Sequence, residues 1–73
     1  MKLTDNLLAI DEALIELAEH DGETAQLVKL RFYAGLSVDE AADVMGLARA
    51  TAYRTWSYAK AWLRMKLGEV ATD

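Results

Sequence analysis

The stretch Ser37-Val38-Asp39-Glu40-Ala41-Ala42-Asp43-Val44-Met45-Gly46-Leu47 decides how this chain folds. Ser37 and Glu40 have the spacing of a capping box. The hydroxyl accepts from the Glu40 amide and the Glu40 carboxylate reaches back to the Ser37 amide. Val38, Ala41, Ala42 and Met45 then fall at i, i+3, i+4 and i+7, an apolar stripe along one helix face. Gly46 ends the helix with a residue that tolerates positive φ. Leu47 is an apolar plug under the turn, and a segment from about 48 to 67 runs without a breaker up to Gly68. Two helices crossing steeply over a short turn need a small side chain at the crossing, which Ala42 supplies. The pattern predicts a helix over about 38–45, a turn, and a helix over about 48–67, with a helix-turn-helix at 37–57. An ordinary helical hairpin also uses Gly and Ala. The capping box, the stripe, the plug and a wholly basic second helix favour the helix-turn-helix.

Working outward, Leu7, Ile10, Leu14 and Leu17 recur at helical spacing and predict a first helix over about 5–20, with Thr4 as its cap. His20 closes it as a residue that compensates the helix dipole. Asp21-Gly22 breaks it. A second helix over about 22–34 has Asp21 as N-cap and Glu23 in its first turn. Leu27, Val28, Leu30, Phe32 and Tyr33 make that helix apolar on much of its circumference, so it is expected to be the most buried, with Phe32 and Tyr33 in the core. An exposed Tyr33 would instead mark a protein-docking patch. Gly35 ends the helix and Leu36 packs back onto its last turn. The tail Glu69–Asp73 is expected to fray. The whole reads as an all-α, four-helix bundle, a single domain over 1–73.

Composition narrows the function. The chain has 73 residues, a net charge of -4, no Cys, no Pro and 53% apolar residues. No Cys excludes a disulfide framework, a thiol nucleophile and any Cys-based zinc site. A single His excludes a His cluster. Apolar runs are too short to span a membrane, the N-terminus does not read as a signal peptide, and the expected compartment is the cytoplasm. No catalysis, metal or cofactor is expected. Asp39, Glu40 and Asp43 fit a capped, solvated helix face better than a metal site.

The charge is strongly segregated. Residues 1–23 carry Lys2 against seven acids, whereas residues 46–67 carry Arg49, Arg54, Lys60, Arg64 and Lys66 and no acid. Such a segment on an acidic domain suits a polyanion. A solvated face that balances the acidic N-terminal part would use the same residues.

The run Leu30-Arg31-Phe32-Tyr33-Ala34-Gly35-Leu36-Ser37-Val38-Asp39-Glu40-Ala41-Ala42-Asp43-Val44-Met45-Gly46-Leu47, then Ala50-Thr51 and Trp56 with Ala59-Lys60-Ala61-Trp62-Leu63, resembles region 4 of sigma-70-type RNA polymerase initiation factors, most nearly the extracytoplasmic-function group. The resemblance covers about residues 7–67. It implies a four-helix domain whose last helix reads the −35 promoter element, with duplex promoter DNA, the β flap of core polymerase and an anti-sigma factor as partners. Region 2 has no counterpart in this chain, which reads as an excised C-terminal domain or a stand-alone relative. Ala48 stands where the family often has a capping Ser, Ala52 where Val or Ile is usual, and Tyr53 where Lys or Arg is common.

Within the last helix, Ala52, Trp56 (or Thr55), Ala59, Leu63 and Leu67 form the expected inward face. Arg49, Ala50, Tyr53, Arg54 and Ser57 lie opposite and are expected to face the groove. Arg49 and Arg54 suit guanine O6 and N7, and Ala50 a thymine methyl. Thr51 is expected to touch phosphate or cap locally. Lys60, Arg64 and Lys66 are expected to steer, or only to complement the helix dipole. Trp56, Tyr58 and Trp62 fit core or rim packing better than base stacking. Two other readings stay open. One is a protein-interaction module that binds polymerase or an anti-sigma factor with little DNA affinity. The other is the DNA-binding domain of a response-regulator-like protein.

Overall fold

The computed structural model describes residues 3–70, and side chains over 9–68. Four helices follow one another: α1 (Leu3–His20), α2 (Gly22–Phe32), α3 (Val38–Met45) and α4 (Arg49–Val70). No strand occurs among the described residues. The expected all-α architecture is therefore the observed one.

Local chemistry sets most of the boundaries. The side chain of Asp21 caps α2, with Oδ1 accepting from the Thr24 amide at 3.2 Å and Oδ2 from the Thr24 hydroxyl at 2.7 Å. Those bonds hold the Asp21 carboxyl below its ordinary pKa. Ser37 and Glu40 form the capping box, with Ser37 N donating to Glu40 Oε1 at 2.9 Å and Glu40 N to Ser37 Oγ at 3.1 Å. Gly35 and Gly46 both adopt positive φ, +72° and +70°. After Gly46 the Leu47 amide reaches back to the Ala42 carbonyl at 2.9 Å, which satisfies an end-of-helix acceptor. At Gly35 the closure is wider, with Leu36 N donating to the Leu30 carbonyl six residues back at 3.1 Å.

Three expectations need correction. Helix α2 ends at Phe32, not near 34, because the chain widens into that closure. Helix α4 does not stop at Gly68 but runs to Val70. Gly68 takes no positive φ, and a glycine inside a helix costs only about 1 kcal/mol, which a long helix absorbs. Helix α1 already starts at Leu3, so Thr4 lies within it; the side chains of Thr4 and Leu7 lie outside the described residues. Of the tail, 71–73 lie outside them too.

The core has two parts. Ala13, Leu14 and Leu17 of α1 meet Ala25 and Val28 of α2 and Ala59 and Leu63 of α4, with Ile10, Trp56, Trp62 and Leu67 packed around them. Val38 and Ala42 of α3 meet Ala52 of α4, with Leu47 and Trp56 against them. Among the described residues, helix α3 packs on α2 and α4 but not on α1. The small residues Ala42 and Ala52, 1% and 0% exposed, bring α3 and α4 close at their crossing.

Candidate nucleic-acid interface

Helix α4 is held by one side and open on the other. Ala52, Ala59 and Leu63 are buried, and Thr55, Trp56, Trp62 and Leu67 half-buried, as the periodicity predicts. Arg49, Ala50, Tyr53, Arg54, Ser57 and Lys60 are all exposed, and Thr51 is half-buried. Arg49, Tyr53, Ser57 and Lys60 follow one edge of the helix, with Arg49 beside α3, while Ala50 and Arg54 lie a step round it. Ala48 precedes the helix and offers only its carbonyl, to Ala52 N at 2.9 Å, because an alanine has no capping oxygen.

The basic stretch divides into two groups. Lys66 Nζ lies 2.7 Å from Glu16 Oε2 and so ties α4 to α1. Arg49 Nε lies 3.9 Å from Asp39 Oδ1 across the turn. With the Arg49 side chain 74% exposed and that of Asp39 44%, this pair adds little to stability, about 0–1 kcal/mol. The same Asp39 carboxylate acts on the Tyr53 hydroxyl and raises the phenol pKa above its ordinary value. Arg54, Lys60 and Arg64 enter no ion pair among the described residues and are exposed.

Trp56 is the hinge between the open and packed sides. Arg31 stacks on its ring with the guanidinium carbon 4.6 Å from the centroid, Phe32 meets it edge-on at 6.3 Å, and Lys60 lies 6.0 Å away. Arg31 also donates to the Leu36 carbonyl at 2.9 Å, which pins the end of α2 beside the start of α3. Arg31 and Asp39 are the two residues near this surface that sequence reasoning did not assign to it. No spacing rule could have found them, since each meets α4 only through the fold.

Phe32 and Tyr33, expected in the core, are 50% and 55% exposed. The core takes only the Thr24, Ala25, Leu27 and Val28 part of α2. Tyr33 donates instead to Asp11 of α1, which raises its pKa. Among the described residues no three His, Asp or Glu side chains gather where a metal could sit. No described helix is long and apolar enough to cross a membrane.

Compared with known proteins, residues 1–69 match the family model described as ECF sigma factor. No curated protein and no solved structure matches the chain.

Proposed function

This chain belongs to the ECF sigma factor family, and we propose that it is a region 4 domain that recognises a −35-type promoter element through α4. Its role is accordingly a sigma-factor-related one in transcription, in a family of regulators rather than enzymes. The observation that carries the finer reading is the disposition of the 22 residues without a carboxylate, 46–67. Their apolar side is buried against the bundle, while Arg49, Arg54, Lys60 and Arg64 stay exposed.

In this reading the start of α4 enters the major groove. Arg49 and Arg54 donate to guanine O6 and N7, Ala50 meets a thymine methyl, and Tyr53 and Ser57 offer hydroxyl groups to base edges. Lys60 and Arg64 neutralise phosphates and carry no sequence information, and Thr51 serves the backbone or the helix end. The β flap of core polymerase and an anti-sigma factor are the protein partners this reading adds.

Titration of the domain into promoter duplex at several salt concentrations tests it. Arg54, Lys60 and Arg64 are the cations of 46–67 without an ion pair among the described residues, so log K against log salt should fall with a slope of about −3. Binding that ignores salt, or none even at low salt, sinks the DNA reading. That outcome favours a protein-interaction module, which the exposed Phe32 and Tyr33 also support.

A further inference from the structure

Asp39 touches the reading surface from outside it. It sits on the first turn of α3, yet its carboxylate faces two residues of α4, Arg49 and Tyr53. Its Oδ1 is shielded from solvent and accepts no hydrogen bond; the closest cation is the Arg49 Nε at 3.9 Å. We infer that Asp39 is a specificity-setting residue, which holds Arg49 and Tyr53 in states that suit base edges and disfavour phosphate. The inference rests on the DNA-reading function proposed above.

The donor arithmetic gives the reason. Asp39 approaches Arg49 from the Nε side. Both terminal nitrogens keep outward hydrogens, enough for the two acceptors of a guanine edge. A guanine edge is neutral, so Asp39 need not leave. A phosphate at the same place meets the Asp39 charge as well as Arg49, and it is repelled or must displace the carboxylate. Tyr53 is biased the same way. The Asp39 carboxylate draws on its single hydroxyl hydrogen, so outward it offers lone pairs more readily than a donor. It can accept from an exocyclic amino group of adenine or cytosine, whereas donating to a phosphate oxygen means giving up Asp39.

The test uses the 73-residue chain, the duplex that the wild type enriches from a randomised pool, and a scrambled duplex of equal length. Asp39→Asn should bind the scrambled duplex several-fold tighter and lower the preference for the enriched one. Its salt slope should steepen by about one, as Arg49 becomes able to neutralise a phosphate. Adding Arg49→Gln should remove that steepening. Asp43→Asn makes the same charge change on α3 at an exposed position and should leave the preference unchanged. Asp39→Ser repeats the measurement if Asp39→Asn melts too low. Without DNA, the Tyr53 phenol of Asp39→Asn should titrate lower, nearer 10.0. Equal effects of Asp39→Asn and Asp43→Asn, or a Tyr53 titration that does not move, overturn the inference and leave the DNA reading standing. If the wild type enriches and binds no duplex, the DNA reading falls and the inference falls with it.

Discussion

Asp21 illustrates how one side chain sets a boundary and a pH response. It accepts from both the amide and the hydroxyl of Thr24, and Thr24 is 2% exposed. Asp21→Ala therefore removes a cap and strands a buried hydroxyl. The cap alone is worth about 1 kcal/mol, and a loss of that size should lower the melting temperature of a domain this small by about 4–8 °C. The carboxyl is held below its ordinary value of 3.8. Its contribution is thus present above that value and is lost as the pH falls through the lower folded-state pKa. Wild type and Asp21→Asn should differ in melting temperature at neutral pH and converge in acid; a gap that widens in acid contradicts the capping geometry. Gly46 makes the complementary case. A Cβ there meets nothing within 4 Å, but φ is +70°. Gly46→Ala should cost about 1–2 kcal/mol from backbone strain alone, measured by denaturant unfolding. A neutral result means that the turn relaxes away from the left-handed region.

At the scale of the elements, the crossing of α3 and α4 depends on two alanines. Ala42→Leu should overpack it and cost about 1–3 kcal/mol. Thermal melting checks this, and a neutral outcome removes Ala42 from the crossing. On the other side of α4, Arg54→Ala should lower the preference for an enriched duplex over a scrambled one by about 1–3 kcal/mol if its contact is bidentate. Lys60→Ala should weaken both duplexes about equally. The reverse pattern in a competition assay at fixed salt means that α4 docks in another orientation. What the sequence made legible here was local. The Ser37–Glu40 box, the Asp21 cap, the glycine stops at Gly35 and Gly46 and the inward face of α4 all follow from spacings within one helix or turn. What it hid was tertiary. Phe32 and Tyr33 sit on a helix that is apolar on most sides, so periodicity could not say which side the core would take. The pairing of Asp39 with Arg49, and of Glu16 with Lys66, depends on how helices lie across one another. The end of α4 is hidden for a different reason: a glycine ends a helix only where a left-handed residue is needed, and Gly68 takes no positive φ.

For the whole molecule, the attachment of α3 is the weak joint. Among the described residues it has no packing with α1, and of its buried side chains Val38 and Ala42 share a small cluster with Ala52. Trp56 is the large side chain that packs against both this cluster and the main core. It also carries the Arg31 stack and the edge of Phe32. A domain of 73 residues has a total stability of about 4–11 kcal/mol. Trp56→Ala, at about 3 kcal/mol for a large aromatic truncation, should consume much of that. The loss should also be uneven. With Trp56 gone, α3 keeps Val38, Ala42, Ala52 and Leu47 and its packing on α2, whereas α1 and α2 still share the larger cluster of Leu14, Leu17, Ala25 and Val28 with α4. Native-state hydrogen exchange should then show the α3 amides opening at a lower free energy than those of α1. Trp62→Ala is the control, since Trp62 packs only on the main core, and it should lower the protection of α1 and α2 at least as much as that of α3. If Trp56→Ala lowers α1 and α3 protection together, the two clusters open as one unit and Trp56 does not join them. If α3 alone loosens, DNA binding should weaken at the same time, because the start of α4 is positioned by that same crossing.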